Sequence, residues 1–179
     1  AGLDADDIDV VINTHLHFDH SDGNFSEDGA ILFNNALHII NRKEWDNLIF
    51  SDNMKRRDRF LILDSKKKLR LIDSNYQVTD NVCIFQAPGH TAGFQYVRVT
   101  DSDGIVHIIA GDIIPTVWHL NNRNAEGIDF SQVTLDQVKK DILEFSAKNR
   151  SLIYYQHSSS LLFSGIQIGR GKYLVVRDT

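Results

Sequence analysis

Val10-Val11-Ile12-Asn13-Thr14-His15-Leu16-His17-Phe18-Asp19-His20 decides how the rest of the chain is read. Residues 8–13 form a short apolar, β-branched run, the pattern of a strand buried on both faces. The run leads straight into three imidazoles and a carboxylate within residues 15–20. Solvated loops seldom concentrate imidazoles in this way, and His with Asp makes a dense set of borderline metal donors. Three more strand ends repeat the theme. Residues 81–86 lead into Pro88-Gly89-His90-Thr91-Ala92-Gly93, where Pro and two glycines shape a loop that aims one imidazole inward. Residues 105–110 end at Gly111-Asp112, and residues 152–155 end at Gln156-His157. A lone His after a strand is more often a hydrogen-bonded loop residue than a ligand, and a lone Gly-Asp is a common turn. Donor residues at four strand ends of one small chain make a much stronger signal, because each would otherwise have to arise independently.

Around these points strands alternate with helices. Residues 1–7 read as the end of a helix and its connection, with Gly2 at the C-cap. Residues 36–40 read as a second strand, and residues 43–62 as a helical region. The charged stretch Met54-Lys55-Arg56-Arg57-Asp58-Arg59 interrupts that region and reads as a solvated face. Residues 69–72 form a strand, and residues 94–100 and 105–110 flank Asp101-Ser102-Asp103-Gly104, a hairpin signal. Thr134-Leu135-Asp136-Gln137 is a capping box that opens a helix to about Lys148, with Leu135, Val138, Ile142 and Phe145 on one face. Residues 161–168 and 173–176 complete the strands. His38 and His107 lie inside strands and read as structural, and Cys83 reads as a small buried hydrophobe.

Composition bounds the function. With 179 residues, 42% hydrophobic and 24% charged, the chain can fill one core at the usual ~150 residues per domain. A net charge of -5, from 19 basic against 24 acidic residues, argues against a nucleic-acid surface. A single Cys excludes an internal disulfide framework. No apolar run reaches the ~20 residues of a membrane span.

His15-Leu16-His17-Phe18-Asp19-His20, Pro88-Gly89-His90-Thr91-Ala92-Gly93, Gly111-Asp112 and the late His157 together resemble the ordered motif set of the metallo-β-lactamase fold hydrolases, over about residues 8–157. The resemblance implies an α+β fold, an αββα sandwich of two sheets flanked by helices, with a dinuclear metal centre at one edge. It implies His15, His17 and His90 as ligands of one ion, and Asp19, His20 and His157 as ligands of the other. Asp112 corresponds to the carboxylate that bridges both. Two neighbouring dications repel, and a shared carboxylate and hydroxide offset that repulsion. Zinc is the default for so nitrogen-rich a set, and Mn2+, Fe2+ or Co2+ also fit.

Among the branches, Asp112 argues against the true β-lactamases, which lack the bridging carboxylate. His17 argues against the flavodiiron-type oxygen reductases, which carry an acidic residue there. Glyoxalase II adds a C-terminal helical domain, whereas this chain closes in Tyr173-Leu174-Val175-Val176. RNA-processing members would show basic surfaces. Gly111-Asp112-Ile113-Ile114-Pro115-Thr116-Val117-Trp118-His119 is similar to the Gly-Asp-x-x-Pro-Thr-x-x-His stretch of the lactonase and organophosphate-hydrolase branch. Two departures stand out. Pro115 occupies the place where acyl-homoserine lactonases carry a carbonyl-assisting Tyr, and Asp22-Gly23-Asn24 replaces the common Gly-Gly-Asn.

The activity implied is metal-dependent opening of a lactone or cleavage of a small ester. Alternatives are a phosphotriester or aryl-ester hydrolase and a non-catalytic metal-binding remnant. Asp19 is the expected proton shuttle to the leaving alkoxide, and His119 the expected hydrogen-bond donor to the oxyanion. Trp118, Phe18 and Phe25 are candidates for an apolar wall, although a core or surface role is the commoner fate of such residues. One domain over residues 1–179 is expected, short of its N-terminal strands. The edge and apolar face this would leave favour self-association, a homodimer at its simplest. Family habit and the lone Cys point to the cytoplasm.

Overall fold

The computed structural model describes residues 2–124 and 127–176, and the chain divides into two compact units, Ala1–Asp73 and Ser74–Thr179. The first unit carries a three-stranded sheet in the order β1 (Val10–Ile12), β2 (Leu37–Asn41), β3 (Leu69–Ile72). Both pairings are parallel, with Val10 opposite Leu37 and Ile39 opposite Arg70. Parallel neighbours need crossover connections. The first crossover holds the short helix α1 (Phe18–Ser21), and the second holds α2 (Arg42–Ile49) and α3 (Met54–Ser65).

The helical stretch therefore breaks at residues 50–53, and the charged run 54–59 lies inside α3 rather than interrupting a helix. Capping explains the difference. Asn41 accepts from the Lys43 N–H at 2.8 Å, and Asn53 accepts from the Arg56 N–H at 3.1 Å, so each helix starts at its own Asn. Leu16, Phe25, Ile40, Trp45, Leu48, Phe60 and Leu63 form the core of this unit. Phe25 meets Phe60 edge to face at 4.9 Å, a core role for Phe25. Residues 5–7 form a 3-10 turn rather than the end of an α-helix, Gly2 has φ +72°, and Ala1 lies outside the described residues.

His38 is fully buried on β2, and desolvation holds its imidazole below the ordinary histidine range, with the Lys68 cation adding to it against a backbone contact at Phe33. The native state thus favours neutral His38, while the unfolded chain takes up a proton near pH 6.5. Stability is full above that pH and is lost as pH falls through the lowered native value. The thermal midpoint of the native protein should fall more steeply from pH 7 to pH 5 than that of His38→Leu. Parallel profiles would remove His38 as an acid-sensitive site.

The second unit carries a seven-stranded sheet in the order β10-β9-β8-β7-β6-β5-β4. Its strands are β4 (Tyr76–Gln77), β5 (Val82–Gln86), β6 (Gln95–Thr100), β7 (Val106–Ile109), β8 (Leu152–Tyr154), β9 (Phe163–Gly169) and β10 (Lys172–Val176). The Asp-Gly hairpin between β6 and β7 turns at Gly104, φ +80°. His107 is indeed structural. Its Nε2 lies 2.8 Å from Asp101 and its Nδ1 3.0 Å from the Tyr154 hydroxyl, tying the hairpin to β8. Cys83 is half-buried on β5 rather than fully buried.

Helix α4 (Gln132–Asn149) crosses from β7 to β8, the one parallel pair of this sheet. It starts two residues before Thr134 because Ser131, not Thr134, is the N-cap: Ser131 Oγ accepts the Thr134 N–H at 3.2 Å. Leu135, Ile142 and Leu143 of α4 pack with Ile108, Ile153 and Ile166 of the sheet and with Phe94. Val138 and Phe145 sit at the margin of that core. Among the described residues, no helix is long and apolar enough to cross a membrane.

Candidate metal centre

Strand pairing brings the donors of the second unit to one edge. Because β7 and β8 are parallel with Ile109 opposite Tyr154, Asp112 and His157, each three residues further on, emerge side by side. β6 runs antiparallel to β7, so its start, and the loop that delivers His90, lie at the same edge. His90 Nε2 lies 3.3 Å from Asp112 Oδ2, and His157 Nε2 lies 3.0 Å from Asp112 Oδ1. Each carboxylate oxygen thus faces a different imidazole. His90 is buried and meets Phe94 edge to face at 5.8 Å, while His157 is exposed on one side.

Backbone contacts fix these side chains. The Asp129 N–H donates to the His90 carbonyl at 2.8 Å and the Ser131 N–H to the Gly89 carbonyl at 3.0 Å. The His157 N–H donates to the Pro115 carbonyl at 3.0 Å. Pro115, the departure from the lactonase pattern, therefore pins a donor through its backbone. Asn124 donates to the Asp112 carbonyl at 2.8 Å, and the buried Lys139 ammonium donates to Asn124 Oδ1 at 3.1 Å. Desolvation lowers the Lys139 pKa, with the Asp136 carboxylate opposing it.

In the first unit His15, His17, Asp19 and His20 share the loop after β1 and the helix α1. His15 is fully buried, with Nδ1 3.1 Å from the Thr14 hydroxyl. Its ring centre lies 4.5 Å from that of His17 and 4.3 Å from that of His20. His20 Nε2 is 3.4 Å from Asp19 Oδ2. The His20 carbonyl accepts from Asn13 at 3.2 Å, and Asn13 is held in turn by Asn24 at 3.0 Å.

Two ligands on a tetrahedral ion with bonds of ~2.0–2.1 Å lie roughly 3.3 Å apart. The donor separations within the units, 3.4, 3.3 and 3.0 Å, fit that spacing. The donor types fit as well: neutral imidazoles and carboxylates suit a borderline divalent ion.

His119 lies in the 3-10 turn Val117–Leu120, with its Nδ1 2.9 Å from the Thr116 hydroxyl. Desolvation lowers its pKa, the Lys139 cation adds to that, and the Asp112 carboxylate opposes it. His119 lines a cleft of about 360 Å³ together with Trp118, Pro115, Asn124 and the three donors of the second unit. Trp118 is largely exposed at this cleft, and Phe18 is exposed in the first unit.

Several supporting residues escaped the sequence reading. Asn124 and Lys139 gave no local signal, and Thr116 was visible only as part of the Pro-Thr stretch. Arg56 is a correction: read as part of a solvated charge run, its side chain is only 17% exposed and bonds to the His-rich loop.

No family model matches the chain. It is 28% identical over 158 residues to an N-acyl homoserine lactonase of a Bacillus species, spanning 87% of this chain and 58% of that protein. It superposes on AidC, a dizinc quorum-quenching lactonase in complex with the product N-hexanoyl-L-homoserine, with a TM-score of 0.78 and 18% identity, over 99% of this chain and 67% of that one. It also superposes on the hydrolase AbOPH of the β-lactamase superfamily, with a TM-score of 0.79 and 19% identity, over 99% and 67% of the two chains. The fold is that of the metallo-β-lactamase hydrolases. Within it, the sequence is similar to the N-acyl homoserine lactonases, and the chain spans little more than half their length.

Proposed function

We propose that the chain is the metal-binding part of a hydrolase that opens a lactone, or cleaves a small ester, with two divalent ions. The observation that carries this reading is Asp112, whose two oxygens each face a separate imidazole, as a bridging carboxylate requires. His15, His17 and His90 would hold one ion, and Asp19, His20 and His157 the other. Zinc is the ion this nitrogen-rich set favours, and the similarity to a dizinc lactonase supports it. When bound, such a pair would supply hydroxide at neutral pH, by lowering the pKa of water to about 7, and a Lewis acid for a carbonyl oxygen.

The chain's own groups do the rest. The 360 Å³ cleft fits a small molecule. His119, whose pKa is lowered by burial, has its Nδ1 beside the Thr116 hydroxyl. A Thr116 hydroxyl donating to Nδ1 would leave the ring proton on Nε2, as a hydrogen-bond donor to the developing oxyanion. Trp118 supplies an apolar surface beside it. Asp19, whose side chain is 41% exposed, carries the proton to the leaving alkoxide.

A panel of lactones, aryl esters and phosphotriesters tests this reading on zinc-loaded protein. Lactones should give the highest kcat/KM, with activity abolished by a chelator and restored by zinc. A preference for phosphotriesters would move the chain to that chemistry. Hydrolysis indifferent to chelation would remove the metal from the mechanism.

A further inference from the structure

We propose that Arg56 is a positioning residue that sets the spacing of His15 and His17 by gripping the backbone between them. The inference rests on reading those two histidines as ligands. Leu16 separates them, and it is held in three ways. Its side chain is buried in the core of the first unit with Phe60. Its N–H donates to Glu44 Oε2 at 3.0 Å, from a carboxylate buried on α2. Its carbonyl accepts from Arg56 Nη2, which reaches over from α3. The peptide on the His15 side is therefore tied to an anion on one helix, and the peptide on the His17 side to a cation on the next.

The Arg56 guanidinium makes this tie in a fixed orientation. Nη2 also donates to Ser21 Oγ, and Nε donates to Asp22 Oδ1 at 2.7 Å. Ser21 Oγ in turn donates to the His17 carbonyl at 2.8 Å. One planar cation thus touches the loop at Leu16, Ser21 and Asp22, spanning both ends of the segment that carries His17, Asp19 and His20. Its carbon lies 5.4 Å from the centre of the Phe60 ring, which backs it with core. A lysine could not reproduce this fork, because its ammonium is a single point rather than a plane.

Asp22 gives the grip a second source of support. It stands where the resembling family commonly carries Gly, and its carboxylate aligns the Arg56 Nε. The departure from Gly-Gly-Asn is thereby a component of the clamp. Groups that orient metal ligands from outside the coordination shell commonly alter metal affinity by 10–100-fold when removed.

The test compares native protein with Arg56→Met, Arg56→Lys, Asp22→Gly and, as a ligand control, His15→Ala. Zinc affinity is measured by competition with a chromophoric chelator, and ligand geometry by the visible spectrum of the cobalt-substituted protein. Arg56→Met should weaken zinc binding by 10–100-fold and shift the cobalt bands. Arg56→Lys should recover part of the affinity, and Asp22→Gly should show a smaller loss in the same direction. Native affinity and an unshifted spectrum in Arg56→Met and Asp22→Gly, with His15→Ala impaired, would overturn the clamp and leave the metal reading intact. Indifference of zinc binding to His15→Ala would overturn both. Should Arg56→Met fail to fold, Asp22→Gly decides: a loss of affinity with a cobalt shift supports the clamp, and native values contradict it.

Discussion

Asp112→Asn should reduce bound metal from two equivalents per chain to one at most, and hydrolysis with it by more than the 10–100-fold typical of losing an outer partner. The side chain is small, mostly buried and faced by an imidazole on each oxygen, at 3.3 and 3.0 Å. Asparagine keeps the shape but turns one oxygen into an NH2 donor. That nitrogen has no lone pair to offer a cation and presents protons to it, so a bound ion would lack one ligand and the repulsion between two dications would go unreduced. The surrounding turn would survive, because the Asn124 contact goes to the Asp112 backbone carbonyl and not to its carboxylate. Metal analysis and kcat/KM on the same preparation check this. Two retained equivalents with activity within twofold of native would remove Asp112 from the bridging role.

Gly89→Ala should destabilise the second unit and displace His90. A Cβ at Gly89 would stand 2.6 Å from Leu135 Cα, 2.8 Å from its Cβ and 2.9 Å from its N. The obstacle is the backbone of the first turn of α4, which cannot rotate away as a flexible side chain would. Either the loop 88–93 or the start of α4 must shift, and both are tied together through the Ser131 N–H and the Gly89 carbonyl. Overpacking of this kind costs about 1–3 kcal/mol, and a 1 Å displacement of a ligand is enough to lose a metal site's geometry. The expected result is a lower thermal midpoint together with weaker zinc binding. An unchanged midpoint and unchanged zinc affinity would show that the helix yields without moving His90.

Much of this site is written locally. A β-branched run followed at once by His15, His17, Asp19 and His20 is readable because strand and donors are adjacent in sequence, and the same holds for Asp112 and His157. What was not readable depends on tertiary contact. The sequence pointed to Thr134 as the helix cap, and that role falls instead to Ser131, whose N–H is tied to the loop of His90. The break at residues 50–53 followed from two asparagine caps rather than from charge. The two-residue strand β4 is too short to carry a period. Arg56 looked solvated because a run of cations usually is, and only the fold turns it toward the carbonyl of Leu16. Asn124 and Lys139 act on a turn 12 or more residues away, a relation no local pattern records.

The central claim is that these seven donors hold two divalent ions. Calorimetric titration of chelator-stripped protein with zinc tests it most directly. Two equivalents per chain should bind at neutral pH, and binding should weaken as pH falls because imidazoles must be neutral to ligate. Binding of one equivalent or none, with zinc and equally with manganese, iron or cobalt, would contradict the account.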